Sequence, residues 1–146
     1  MRGVNRKWRA LHYGACTGLW LWSGVTDKVM HALCGRLPAL TWLVVCWVKT
    51  LTADGLRAVG GLTVLTHLNL DRCANLTDAV LWEPRGHTAL TELSLIGCTH
   101  VTDTGLQDLL SVTALRRLKL YYTSTTQAGR NALKAALPAL TIHSDQ

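Results

Sequence analysis

Leucine recurs every 25 residues along much of this chain of 146 residues. A second leucine column follows the first after three residues, and a third column of Leu or Val follows after two more. The columns are Leu40, Leu65, Leu90, Leu115 and Leu140; then Leu43, Leu68, Leu93 and Leu118; then Val45, Leu70, Leu95 and Leu120. One unit of this length cannot bury its own apolar edge, so a fixed period predicts units stacked on one another.

Each unit predicts a short strand followed by a helix. Leu68 and Leu70 alternate with polar residues, which is typical of a strand with one buried face. Cys73 belongs to a column of small residues at which we expect the chain to turn inward. The pair Thr77-Asp78, like Thr26-Asp27 and Thr102-Asp103, supplies side-chain oxygens expected to cap the helix that follows. The sequence therefore predicts an α/β fold with a short parallel sheet.

Two segments depart from the repeat. The run Glu83-Pro84-Arg85-Gly86 is expected to break one helix and to leave a loop. Residues 19–36 fit a shortened first unit, whereas residues 1–18 fit none. The predicted organisation is a basic N-terminal arm or cap at 1–18 and a repeat domain at 19–146.

The repeat resembles the cysteine-containing subclass of leucine-rich repeats, strongly over residues 37–142. Such repeats occur in F-box substrate receptors and in bacterial proteins. The resemblance implies a right-handed solenoid of about five to six coils, each of about 25 residues, with the sheet on the concave face and helices or loops on the convex face. It further implies a non-enzymatic scaffold that binds another protein on the concave face.

A second resemblance lies at the start of the chain. Val4 to Leu11, followed by Gly18-Leu19-Trp20, is similar to the end of an F-box that runs into its first repeat. It implies an alternative in which the chain is a fragment of the F-box/leucine-rich-repeat substrate receptor of a ubiquitin ligase. The rest of the F-box would then precede Met1.

Composition excludes some classes of protein. The chain is 49% hydrophobic and 16% charged, which is too apolar for a disordered segment. No apolar run approaches the ~18 residues of a membrane span. Five cysteines without a close pair favour free thiols in a reducing compartment and argue against a zinc site. We therefore expect a cytoplasmic protein without metal or cofactor.

The positive charge lies at the N-terminal end. Six basic side chains and one acidic one in residues 1–36 carry +5 of the formal net charge of +6. Such an arm is either a solvated terminus, a contact for an acidic partner, RNA or anionic lipid, or part of an organelle import signal.

Aromatic and charged residues occupy the strand positions that alternate with the leucines and therefore face away from the core. Tryptophans in the first units are unexpected there, because exposed aromatic groups usually mark contact surfaces. We expect Trp42 and Trp47 to anchor the principal contact surface, with burial by residues 1–18 or weak self-association of an otherwise monomeric chain as alternatives. The candidate partner-binding residues are Trp20, Trp22, Trp42, Val44, Trp47, His67, Glu92, Arg117, Lys119, Tyr121 and Tyr122.

The middle of this surface predicts an ionic row. His67, Glu92 and Arg117 are each separated by one period of the repeat and place unlike charges on neighbouring strands. The row is interpreted as a salt-bridge ladder that stabilises the fold by at most ~1 kcal/mol, or as a group of side chains that recognises a partner.

Catalysis and nucleic-acid binding have weaker support. His67 and Asp71 lie about 13 Å apart along one strand, too far for a triad with Ser94. Cys46 is the thiol expected to be reachable. Nucleic acid is an alternative partner, through basic residues among aromatic ones, but the body of the chain is nearly neutral. The residues that would carry it are Arg2, Arg6, Lys7 and Arg9 with Trp8 and Tyr13, or Arg116, Arg117 and Lys119 with Tyr121 and Tyr122.

Overall fold

The structure, a computed structural model, describes residues 8–11, 17–81 and 89–145. After an initial pair of strands, strands and helices alternate along these residues, and short 3-10 turns extend α2 and α4. The elements are β1 (Trp8–Leu11), β2 (Gly18–Trp22), α1 (Asp27–Arg36), β3 (Trp42–Cys46), α2 (Ala53–Arg57), β4 (His67–Asn69), α3 (Asp78–Leu81), β5 (Glu92–Ser94), α4 (Asp103–Asp108), β6 (Arg117–Lys119), α5 (Gln127–Ala136) and β7 (Thr141–His143). The loop predicted at Glu83–Gly86 lies outside the described residues.

The described strands form one sheet in the order of the sequence, from β1 to β7. β2 to β7 are parallel to one another. His67 pairs with Trp42 on one side and with Glu92 on the other, and Glu92 pairs with Arg117. The period of the sequence is thus the register of the sheet, and the predicted α/β fold with a parallel sheet is confirmed.

The N-terminal arm contains a strand that the repeat does not predict. β1 pairs with β2 in antiparallel orientation, with Arg9 opposite Trp20. β1 therefore covers the edge of β2, whose backbone N–H and C=O groups would otherwise be unpaired. The rest of the arm, residues 1–7 and 12–16, lies outside the described residues.

The leucine columns form the core between the sheet and the helices. Leu65, Leu90 and Leu115 are fully buried, and Met30 of α1 and Leu106 of α4 belong to the same cluster. The inward side chains of β2 to β7 thus point toward the helices. The opposite side of the sheet is the outward face: the outward strand positions of β2 to β7 and the turns that follow them.

The helix caps differ in part from the prediction. The Thr102 hydroxyl accepts the Thr104 N–H at 3.2 Å, and Thr52 and Thr126 cap α2 and α5 in the same way. Thr26 makes no side-chain cap bond to α1. The threonines therefore act as caps in three helices.

The aspartates of the Thr-Asp pairs bind the next unit instead of capping their own helix. Asp78 Oδ1 accepts the Thr102 N–H at 2.8 Å, and its Oδ2 accepts the Thr102 hydroxyl at 2.5 Å. The carboxylate thereby satisfies an otherwise open helix terminus 24 residues further along the chain. The same two bonds join Asp27 to Thr52 and Asp103 to Thr126.

A glycine makes room for each of these carboxylates. A Cβ atom added at Gly105 would lie 2.5 Å from Asp78 Oδ1, and Gly55 and Gly129 face Asp27 and Asp103 in the same way. The unit that starts at Thr77 has valine at this position, and the unit before it has Ala53 in place of aspartate. An aspartate in one unit and a glycine in the next are therefore a matched pair.

We expect Gly105→Ala to destabilise the protein by roughly 1–3 kcal/mol, because the new methyl group overlaps the Asp78 carboxylate. Gly60→Ala is the matched control. Nothing lies within 4 Å of a Cβ at position 60, so the free energy of unfolding should stay within about 1 kcal/mol of the wild type. Urea unfolding with Asp78→Ala and the double variant measures the coupling. Equal costs of Gly105→Ala with and without Asp78 would contradict the pairing.

The carboxylates between units predict a loss of stability in acid. The hydroxyl and N–H of Thr126 lower the pKa of Asp103 below its usual value, and those of Thr52 do the same for Asp27. A carboxyl group with a lowered folded-state pKa stabilises the fold above its unfolded pKa, and that stabilisation is lost as the pH falls through the folded value.

The thermal midpoint should therefore fall between about pH 5 and pH 2. Asp27→Ala with Asp103→Ala should be less stable at pH 7 and should show a shallower decline. Thermal unfolding followed by circular dichroism measures both. Identical slopes for the variant and the wild type would contradict the role of these carboxylates.

Candidate functional site

Strand alternation places the candidate residues on the outward face. In β3, Leu43 and Val45 are buried, whereas Trp42 is 44% exposed and Val44 is half-buried between them. In β2, Trp22 is exposed and Trp20 is half-buried. At the other end Arg117, Lys119 and Tyr122 are exposed and Tyr121 is half-buried.

A continuous row of side chains crosses four strands in the middle of this face. The rings of Trp42 and His67 stack with centroids 4.9 Å apart and planes 16° from parallel. His67 Nε2 lies 3.2 Å from Glu92 Oε1, and the same oxygen binds the Arg117 guanidinium. The predicted ionic row is therefore present, and His67, its first member, stacks on the exposed ring of Trp42.

A second row, the ridge, follows the strands at the turn positions Trp47, Arg72, Gly97 and Tyr122. All four have positive φ, between 56° and 74°. The Arg72 guanidinium lies over the Trp47 ring, 4.2 Å from its centroid, a cation–π contact. The Arg72 side chain also packs over Gly97, because a Cβ there would lie 2.9 Å from Arg72 Cγ.

The left-handed turns of the ridge continue the hydrogen bonding of the sheet. The Arg72 N–H donates to the Ile96 carbonyl at 2.8 Å, and the Gly97 N–H donates to the Tyr121 carbonyl at 2.8 Å. The ridge is therefore anchored to the neighbouring unit by its backbone, and its side chains project at fixed positions.

A polar network that the sequence analysis did not predict lies between the two rows. Asp71 Oδ1 accepts the Ser94 hydroxyl at 2.6 Å and the Ile96 N–H at 2.8 Å. Asn69 donates its Nδ2–H to Asp71 and accepts the Cys46 thiol at 3.1 Å. Asp71 lies in the turn that follows β4, and Ser94 lies on the adjacent strand β5. Comparison of neighbouring units at these positions could have predicted the network.

This geometry does not assemble a catalytic triad from Ser94, His67 and Asp71. The Ser94 hydroxyl is buried and donates to Asp71, whereas the His67 ring contacts Glu92 and Thr66. Burial and then the Asp71 charge raise the pKa of the Cys46 thiol to about 11. Cys46 is thus a weak nucleophile at neutral pH.

The part of the chain that the structure describes contains no cluster of three or more His, Cys, Asp or Glu that could hold a metal ion. Within the same residues, no helix has the length and apolar character to cross a membrane. No protein-family model matches the chain, and no curated protein matches it.

Thiol chemistry checks the environment of Cys46. In a Cys16→Ser variant, we expect Cys46 to react first with Ellman's reagent, because Cys34, Cys73 and Cys98 are buried. Its rate at pH 8 should be at least about a hundredfold below that of free cysteine, because a thiol with a pKa of about 11 is rarely ionised there. Adding Cys46→Ser should remove the first phase. A fast phase that survives Cys46→Ser would contradict this assignment.

Proposed function

We propose that this chain is a non-enzymatic leucine-rich-repeat module that binds another protein on the outward face of its sheet. A solenoid of five to six coils is supported by the order of the strands and by a strand register that equals the period of the sequence. The buried Cys73 and Cys98, whose thiols donate to carbonyls of the preceding unit, support the cysteine-containing subclass. In such a solenoid the outward face is the concave one.

The observation that carries the proposal is the pair of exposed, oriented tryptophans. Trp42 and Trp47 are 44% and 59% exposed, and neither is needed by the leucine core. Trp42 is stacked on His67, and Trp47 lies under Arg72. Both rings are therefore held before binding, which reduces the entropy that a partner must overcome.

The support for a non-enzymatic role comes from the candidate catalytic groups. The Ser94 hydroxyl donates to Asp71, whereas His67 is paired with Glu92, so the two side chains do not share a carboxylate. The pKa of the Cys46 thiol is raised. Cys34, Cys46, Cys73 and Cys98 are free thiols, which supports a cytoplasmic location.

The fragment of an F-box receptor stays an alternative prediction. It depends on residues 4–11, of which the described part, Trp8–Leu11, is the edge strand β1. The coding sequence upstream of Met1 distinguishes the alternatives, because an F-box there is required by the receptor and not by the module.

The test is affinity capture with the full chain and a variant that carries Trp42→Ala and Trp47→Ala. We expect this variant to lose the captured partner and to keep its thermal midpoint, because both rings lie outside the core. The matched control is Val64→Ala with Leu110→Ala, which removes two apolar side chains that are 44% and 43% exposed elsewhere on the chain.

The control variant should capture the partner as the wild type does. Capture of the same partner by the folded double tryptophan variant would contradict the site, and capture lost equally in both variants would point to a nonspecific apolar contact. Sedimentation of the wild type checks self-association, which would appear as a dimer that the tryptophan variant abolishes.

A further inference from the structure

This inference deepens the proposed function and rests on it. Among the residues that the structure describes, the outward face carries three carboxylates, and each is engaged within the protein. Asp71 accepts hydrogen bonds from Ser94 and the Ile96 N–H, and Asp145 Oδ2 accepts the Tyr122 N–H at 2.6 Å. Glu92 lies between His67 and Arg117. Glu92 is therefore paired with a cation, whereas Asp71 and Asp145 keep their charge and are hydrogen-bonded to neutral donors.

The cations of the same face are less engaged. Lys119 Nζ makes no hydrogen bond or ion pair with the residues that the structure describes, and its side chain is exposed. Arg72 has the Trp47 ring as its contact and no carboxylate within the described part of the chain. Arg117 is 59% exposed and uses one nitrogen for Glu92. Around Lys119 and Arg117 the face consequently presents positive charge that a partner can neutralise.

The aromatic and cationic groups lie at opposite ends of one depression. It has a volume of about 120 Å³, and Trp42, His67, Glu92 and Lys119 line it. Trp42 stands on β3, and Arg117 occupies the same register position on β6, three strands further across the sheet, with Lys119 two residues along β6. At ~4.8 Å per strand Trp42 and Arg117 are roughly 14 Å apart, which an extended chain spans in about four residues.

We propose that the outward face binds an extended acidic segment of a partner protein. An apolar side chain of the segment packs on Trp42 and Trp47. A carboxylate about four residues away pairs with Lys119 and with the free edge of the Arg117 guanidinium. Charge complementarity selects the segment, and the tryptophans supply the apolar contact.

A nucleic acid fits this face less well. Successive phosphates need a track of cations, and here Asp71, Glu92 and Asp145 stand on the same surface as Arg117 and Lys119. A segment with one or two carboxylates can place them at Lys119 and Arg117, and the acidic group that it crosses, Glu92, is already paired with Arg117.

The experiment selects random peptides of about 12 residues, displayed on phage, against the full chain at physiological ionic strength. Enriched peptides are resynthesised with a fluorescent label, and their affinities are measured by polarisation. We expect an Asp or Glu about four residues from a large apolar residue in the enriched set. Lys119→Glu should weaken binding about tenfold or more, and Trp42→Ala should abolish it.

Lys28→Glu is the matched control, because Lys28 is exposed on α1, on the other side of the sheet, and its reversal changes the net charge equally. It should leave the affinities unchanged. Thermal midpoints establish that each variant is folded, and Lys119→Gln replaces Lys119→Glu where the latter does not fold.

The outcomes separate this inference from the proposed function. Enriched peptides that need Trp42 but show no acidic preference, or that bind the Lys119→Glu variant equally well, overturn the acidic segment and leave the proposed function standing. A selection without enriched peptides overturns the acidic segment, while the capture assay decides the function independently. Tighter binding of an oligouridylate, lost in the Lys119→Glu variant and steeply salt-dependent, overturns it in favour of nucleic acid.

Discussion

No unit of this chain can by itself bury its leucines or pair the backbone N–H and C=O groups of its strand, and the rest of the structure depends on this constraint. The leucines of a unit are buried only when another unit covers them, and the N–H groups of each strand find acceptors on a neighbouring strand. The bonds from Asp78 to Thr102 apply the same rule to the helix side. The free energy of unfolding therefore depends on the contacts between neighbouring units, as in a one-dimensional array. A destabilising change in one unit also destabilises the adjacent one.

The two ends of the array are treated differently. At the first edge, β1 pairs with β2 in antiparallel orientation, which interrupts the parallel series of strands. At the other end Gln127 stands where three of the earlier units have aspartate, and the series of carboxylate bonds stops with Asp103 and Thr126. The series thus ends at the last helix without leaving an unpaired carboxylate.

The sequence could predict the features that repeat within one unit and not those that join two units. The Leu68 and Leu93 columns identify the strands and their buried faces, because alternation is a local pattern. The partner of Asp78 is invisible to a reading of one unit, since Thr102 lies 24 residues away. A comparison of Gly105 with Val80 across the aligned units would have revealed it, because glycine occurs only after an aspartate-containing unit.

For the candidate site, the sequence could predict which side chains are exposed but not how they are oriented. The exposure of Trp42 and Trp47 follows from their outward positions. Their orientation does not, because it depends on His67 and Arg72 in the following unit. The edge strand β1 could not be predicted, because residues 1–18 share nothing with the repeat.

The backbone of the ridge bears on why these side chains are present. A left-handed conformation costs a non-glycine residue about 1–2 kcal/mol, and glycine meets the same need at Gly97 without that cost. Trp47, Arg72 and Tyr122 nevertheless occupy the other ridge positions. The core does not require them, since Trp47 and Tyr122 are 59% and 65% exposed. The core does not explain large side chains in strained positions that glycine could fill, and this is the physical reason why we propose a binding surface along this ridge.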